Sequence, residues 1–295
     1  MYLIQRIEDI SIKIGDSRKN VAEFILAQQK NIFNFTIDEI AEKCFTSKST
    51  VTRFAKLLGY RGWRDFMKAF LMEIKYHEKY VGSVDVNYPF SADNSDEEIA
   101  KSLSRLQTDS INETLDILDM NMLGRAVNYI IRAKKIVVLA VSPNCFIADS
   151  FIRKMNMIGY NINPVQNDDI GISLHDMNKD DCAIMISYAG HNRESNPMKY
   201  IANLKRKKVP IIAITSEGDN YLRQNSNAAL TISSRERLYS KIAGFASEQS
   251  IGFILNILYS CVYSRNYDRN TEYKINLSYE IEKERIAVLK EQQEE

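Results

Sequence analysis

Cysteine is scarce in this chain. Four residues, Cys44, Cys145, Cys182 and Cys261, lie far apart with no Cys-x-x-Cys pair. Metal and redox chemistry gain no support from that spacing, and no disulfide framework is expected. No run reaches the roughly 18 consecutive apolar residues of a membrane helix, and no secretory leader opens the sequence. The expected location is therefore the cytoplasm, with no membrane partner. Net charge is only +1, which alone argues neither for nor against nucleic acid. What remains is ordinary: 45% apolar and 26% charged residues are globular proportions. A length of 295 residues suggests about two domains, each able to bury a core.

The charge is unevenly spread. From Lys43 to Tyr76 the chain carries five Lys and three Arg against Asp65 and Glu73, whereas from Thr271 to Glu295 four bases face seven Glu. The basic stretch overlaps the most informative segment, residues 37–58. It reads as two short helices joined by a tight turn, with Ile37, Ile40, Ala41, Val51, Phe54 and Leu58 facing one core. Thr36-Ile-Asp-Glu39 is a capping box for the first helix, which is expected to end near Cys44. Thr46 or Ser47 is expected to cap the second, and Gly59 to stop it in a left-handed conformation. The second helix offers Lys48, Ser49, Thr52, Arg53 and Lys56 to solvent, as a helix entering the major groove would. Thr50 either joins that face or turns inward to fix the helix start. Ser17 is expected to cap a preceding helix toward Gln29, and Trp63, Phe66, Met67, Phe70, Leu71 and Ile74 to line a following one. Phe45 stands in the turn where a small residue is more usual.

The order of these features, through Thr52-Arg-Phe54 to Leu58-Gly-Tyr-x-Gly-Trp63, resembles the N-terminal domain of the RpiR family of bacterial transcriptional regulators. By position, the resemblance implies Ser49, Thr50, Thr52 and Arg53 as DNA-facing residues, to which charge adds Lys48 and Lys56.

Val81–Ser95 lacks a sustained period and reads as a linker. A long helical pattern follows from Asp96 through Leu118, then another helix from Met122 to Ile131. The rhythm then changes to alternating strands and helices. Strands are expected at Lys135–Val141, Asn161–Val165, Asp181–Ser187, Val209–Thr215 and Ala228–Ile232. Helices are expected near Phe146–Ile158, Met198–Lys207 and Ile242–Tyr263. Continuous apolar strands separated by helices imply an α/β, doubly wound parallel sheet covered on both faces. Ligands of such sheets sit at the carboxyl ends of strands, here the loops Ser142–Cys145, Ser187–Ser195 and Thr215–Asn220. All three are polar, and each is expected to lead into a helix, Ser142 serving as an N-cap before Pro143. Alternatively, these Ser, Asn and Gly residues simply cap helices.

Residues 122–268 resemble the SIS (sugar isomerase) phosphosugar-binding domain. Ser187–Glu194 matches its Ser-x-Ser-Gly-x-Thr-x-Glu loop, and Ile212-Ala-Ile-Thr-Ser216 its later strand end. Ala189 and Asn192 depart from that pattern, and Ala140-Val-Ser-Pro-Asn144 lacks both glycines of the family's Gly-x-Gly-x-Ser. The resemblance implies Ser142, Asn144, Ser187, Gly190, Asn192 and Ser216 as effector-binding residues. The expected division is a helix-turn-helix domain over 1–78, a linker over 79–95, a SIS effector and dimerisation domain over 96–270 and a tail over 271–295, in which Tyr273, Ile275, Leu277 and Tyr279 alternate like a strand.

Together these imply a homodimeric or larger regulator that binds a double-stranded operator and senses a phosphosugar or related effector, without catalytic residues, metal or cofactor. Two alternatives stand beside it: a SIS half acting only as a dimerisation or interaction module, and a sugar-phosphate isomerase using Glu194, Glu236, Glu248 or His191 as acid and base.

Overall fold

The computed structural model describes residues 3–13, 15–79, 84–164, 170–233, 235–237 and 239–281. The chain divides into two compact units, one formed by residues up to Ser110 together with Ser234–Ala246, the other by Ile111–Ser233 and the residues from Ser247 onward.

The first unit is helical. Its N-terminal part contains α1 (Leu3–Lys13), α2 (Ser17–Gln28), a 3-10 helix at Gln29–Asn34, α3 (Ile37–Lys43), α4 (Lys48–Leu57) and α5 (Trp63–Lys79). Apolar residues three and four apart on each helix converge on one core, with Ile7, Val21, Ile25, Ile40, Val51, Phe54, Phe66 and Phe70 buried. Phe66 sits at its centre, stacked on Trp63 and Phe70 and meeting Phe54 edge to face. Helix α1 was absent from the expectations above. The α2 cap also differs from expectation: Asp16, not Ser17, is the N-cap, its carboxylate accepting the Arg18 N–H at 2.9 Å. An acceptor one residue upstream leaves Ser17 inside the helix.

Helix α6 (Asp96–Asp116) follows. Val86, Leu106 and Ala246 form a small buried cluster in the first unit. There Asn87 accepts the Arg237 N–H at 2.7 Å, and its carbonyl accepts the Ile242 N–H at 2.9 Å. Ile242 therefore lies before, not inside, the long helix that had been expected to start there.

The second unit is built on five parallel strands, β1 (Ile136–Ala140), β2 (Ile162–Pro164), β3 (Cys182–Ile186), β4 (Ile211–Ser216) and β5 (Ala228–Ile232), in the order β2-β1-β3-β4-β5. Alternate residues feed opposite faces, as the period of two demands. Ile136, Val138, Ile184, Ile186, Ile212 and Ile214 join one core with α7 (Met120–Arg132), α8 (Asn144–Asn156) and α12 (Phe245–Arg265). Val137, Leu139, Ala183, Met185, Ile211 and Ala213 join the other with α9 (Ile170–Ser173), α10 (Ile201–Arg206) and α11 (Tyr221–Gln224). Burial on both faces explains why these strands read as unbroken apolar runs.

The expected strand-like alternation over Tyr273–Tyr279 is overturned, because Tyr267–Ile281 forms a helix, α13. Polar anchors near its N-terminus hold it. Buried Asn270 donates to the Tyr263 carbonyl at 3.1 Å, and Arg269 Nη1 donates to the Ile158 carbonyl at 3.2 Å. The alternating Tyr273, Ile275 and Tyr279 side chains stay exposed, so no sheet neighbour draws them into a strand.

Candidate functional site

Helices α3 and α4 form the expected pair. Thr36 Oγ1 accepts the Glu39 N–H at 3.3 Å while Glu39 Oε2 accepts the Thr36 N–H at 2.7 Å, completing the capping box. The Thr36 N–H and hydroxyl, both donating to the Glu39 carboxylate, hold it below its ordinary range. Ser47 caps α4, its Oγ accepting the Thr50 N–H at 3.3 Å. Gly59 carries the left-handed conformation just past the end, at φ 86°. Phe45, in the turn, is also left-handed at φ 51° and 91% exposed.

Val51, Phe54 and Ala55 are buried, so the opposite face of α4 is polar. Lys48, Ser49, Arg53 and Lys56 are exposed and Thr52 is half-buried. Ser49 and Arg53 are one turn apart and in contact, Arg53 Nη2 reaching Ser49 Oγ at 3.4 Å. Lys48 pairs with the exposed Asp38 carboxylate. Thr50 is half-buried with its hydroxyl 3.1 Å from Ser47 Oγ, in the position that fixes the helix start.

In the second unit, Ala140 pairs with Ile186 and Ile186 with Ile214 in register. The loops after β1, β3 and β4 therefore leave the same edge of the sheet. Those after β3 and β4 interlock. Ser187 Oγ accepts the Gly190 N–H at 3.2 Å, and the Tyr188 carbonyl accepts the Ser216 N–H at 3.0 Å. The Gly190 carbonyl accepts the Leu222 N–H at 3.0 Å. Gly190 has φ 61°, and a Cβ built there would meet Asn220 Oδ1 at 2.5 Å and Thr215 Oγ1 at 2.9 Å. Only glycine fits both the backbone and the space. Asn220, buried, donates to Thr215 Oγ1 at 3.2 Å and accepts the Arg223 N–H at 2.9 Å as N-cap of α11.

Several local expectations are corrected. Pro143, without a side-chain cap, occupies the N-cap of α8, and Ser142 lies before it, exposed. No helix starts within Ser187–Glu194, since the next begins as a 3-10 turn at Met198 after Pro197. Asn192 instead folds the loop on itself, its Oδ1 accepting the Glu194 N–H at 3.1 Å. Strand β4 runs one residue past the expected end at Thr215, to Ser216. The structure thus ties Ser187, Gly190 and Ser216 into one network, while Ser142 lies in the loop after β1, Asn144 is the first residue of α8, and Asn192 lies farther along the loop after β3.

Sequence reasoning missed Asn220 and Arg223. Arg223 is partly buried, with Nη2 donating to the Ser216 carbonyl and to Thr231 Oγ1, both at 2.9 Å, and burial lowers its pKa. It thereby binds the end of β4 to β5. The signal for Asn220 was present, an Asn just before a short helical run. Of the acids considered for isomerase chemistry, Glu194 is exposed. Glu236 is buried and engaged, with Lys241 Nζ at 2.6 Å and the Ala246 N–H at 2.8 Å.

Comparison with known proteins bears on both units. Residues 1–75 match the model of the helix-turn-helix domain of the rpiR family, and residues 129–258 match that of the SIS domain. An uncharacterized HTH-type transcriptional regulator of Clostridium perfringens is 25% identical over 279 residues, 93% of this chain and 97% of that one. The HTH-type transcriptional regulator HexR of Escherichia coli is 24% identical over 235 residues, 79% of this chain and 78% of the other. Among solved structures, the Vibrio vulnificus NanR protein complexed with ManNAc-6P has a TM-score of 0.59 at 18% identity, covering 95% of this chain and 97% of that one. The sugar isomerase domain of an RpiR transcription factor from Sphaerobacter thermophilus has a TM-score of 0.53 at 17% identity, over 61% and 97% respectively. At these identities the structural likeness establishes the fold.

Proposed function

The chain belongs to the RpiR family of transcriptional regulators, a helix-turn-helix domain with a SIS domain behind it, and on that premise we propose that a phosphosugar-like effector sets its affinity for an operator. The DNA side is carried by α4, with Ser49, Thr52, Arg53 and Lys56 reaching bases and phosphates and Lys48 released from Asp38 on binding. A homodimer would place two such helices on half-sites about 10 base pairs apart, or a multiple of that.

The observation that carries the effector side is the Gly190 interlock. A glycine whose missing Cβ is demanded by Asn220 and Thr215 holds two donor-rich loops together at the carboxyl edge of a parallel sheet, where ligands of such sheets bind. Hydroxyls of Ser142, Ser187 and Ser216, with Asn144 and Asn192, would hydrogen-bond the ligand, while Gly190, its N–H donating to Ser187 and its carbonyl accepting from Leu222, would hold the loops that present them. An effector shifts DNA affinity only through a difference in affinity between two states of the protein. A cytoplasmic setting suits a phosphorylated metabolite. NanR, whose structure holds ManNAc-6P, supports the ligand class.

One observation favours a second reading, a SIS unit serving solely for dimerisation: the side chains of Ala140 and Ser142 narrow the end of β1 and its loop where glycines would open them, and Pro143 removes a backbone donor. A thermal-melt screen against hexose, amino-sugar and pentose phosphates and their unphosphorylated forms separates the two. A ligand at about 100 times its dissociation constant adds roughly 2.7 kcal/mol, several degrees of Tm. A shift selective for phosphorylated sugars supports the sensor; no shift across the panel transfers the conclusion to the dimerisation module.

A further inference from the structure

The ends of α3 and α4 are held by side chains from outside the pair. Asn20 of α2 donates its amide to the Cys44 carbonyl at the C-cap of α3, at 3.2 Å. Arg6 of α1 donates Nη2 to the carbonyl of Leu58, the C-cap of α4, at 2.6 Å. Three other late carbonyls of α4 are taken by its own turn, Phe54 O by the Leu58 N–H, Ala55 O by Tyr60 and Lys56 O by Gly59. A guanidinium at this end also meets the negative pole of the α4 dipole.

Arg6 is itself fixed. Glu73 of α5 accepts the Leu3 N–H at 2.7 Å and the Ile4 N–H at 2.8 Å, placing a carboxylate on the positive end of α1. Leu3, Ile7 and Ile10 are buried in the helical core. A continuous chain of contacts therefore runs from α5 through α1 to the C-terminus of α4.

We infer that Arg6 is a positioning residue for sequence reading: it touches no base, and sets the angle at which α4 presents Ser49, Thr52 and Arg53. Ten residues of helix span about 15 Å, so a tilt of roughly 5° about the Leu58 end moves the Lys48 end by about 1.3 Å. Hydrogen bonds to base edges tolerate about half an ångström. Contacts to phosphates, made through long flexible side chains, tolerate more. Loss of Arg6 should therefore lower discrimination between sequences more than it lowers affinity for DNA in general.

This inference rests on α4 being the DNA-reading helix, and the experiment separates the two. Full-length wild-type protein is used to enrich duplexes from a random 20-base-pair library. Affinities of wild type, Arg6→Gln, Arg6→Lys and Arg18→Gln are then measured for the enriched duplex and for a scrambled one, with Tm recorded for each. Arg18 is a partly exposed α2 residue paired with Asp16 and controls for the lost charge. Arg6→Gln is expected to lower the specific-to-scrambled ratio about tenfold, Arg6→Lys to restore most of it, and Arg18→Gln to leave it unchanged. A folded Arg6→Gln protein with the wild-type ratio would overturn the inference, as would a Lys variant no better than Gln. Should Arg6→Gln not fold, Glu73→Gln applies the same test by loosening α1 from α5: a lowered ratio supports the inference and an unchanged one overturns it. If wild type enriches no sequence, the DNA-reading role of α4 falls, and this inference with it.

Discussion

Replacing Gly190 by Ala adds a single methyl group, yet the structure makes it costly. The residue sits at φ 61°, where a Cβ costs ~1–2 kcal/mol. The new methyl would lie 2.5 Å from Asn220 Oδ1, 2.8 Å from its Cγ and 2.9 Å from Thr215 Oγ1. Neither neighbour can turn aside freely, because Asn220 is buried, caps α11 and bonds to Thr215. Forcing a methylene-sized group into such packing adds ~1–3 kcal/mol, so the total is roughly 2–5 kcal/mol. At about 2–4 °C per kcal/mol for a domain of this size, Tm should fall by roughly 4–20 °C in calorimetry or circular dichroism. Gly124→Ala is the companion. That glycine is inside α7, and its Cβ would meet nothing within 4 Å. The substitution should stabilise by about 0.5–1 kcal/mol. A Gly190→Ala protein melting within about 2 °C of wild type would refute the interlock, and with it the rigid loop pair at the sheet edge.

Two further expectations address other parts of the molecule. Arg53→Ala should weaken operator binding by roughly 1–3 kcal/mol if it reads a base, whereas Asp38→Asn, which frees Lys48 from its exposed ion pair, should tighten DNA binding by less than about 1 kcal/mol. Titration of both variants on one duplex checks the opposite signs, and equal affinities for Arg53→Ala and wild type would remove Arg53 from the interface. Burial pushes the Cys44 thiol up to about 11 and the Cys182 thiol to about 12, while Cys145 and Cys261 are only half-buried. Since the thiolate is the reactive form, a disulfide reagent at pH 8 should modify Cys145 and Cys261 in the folded protein. Cys44 and Cys182 should follow only on denaturation, and their rapid native reaction would contradict the cores drawn here.

Much of this architecture is written in short-range pattern. The Thr36–Glu39 box, the stop at Gly59 and the apolar spacing of α3, α4 and α5 each involve residues a few positions apart, so the sequence alone determines them. Strands β1, β3 and β4 are equally legible, because a strand buried on both faces reads as a nearly continuous apolar run, and the carboxyl-edge loops follow from a parallel sheet. Other features depend on partners the sequence does not juxtapose. Helix α1 is anchored by Glu73, some seventy positions away, and holds Leu58, fifty-two positions from Arg6. Helix α13 is fixed by bonds to Tyr263 and Ile158 against an alternation that locally suggests a strand. In the loops, residue types were visible but their commitments were not: Asn192 turns back on Glu194, and Asn220 rather than Ser216 or Thr215 caps the next helix. Sequence by itself determined helices α3 to α5, strands β1, β3 and β4 and which edge of the sheet carries the loops, since periodicity and capping act within a turn or two. Tertiary structure alone decided that Gly190 must lack a side chain and that Arg6 holds the Leu58 carbonyl at the end of α4, because both depend on atoms brought within 3 Å only when distant segments pack.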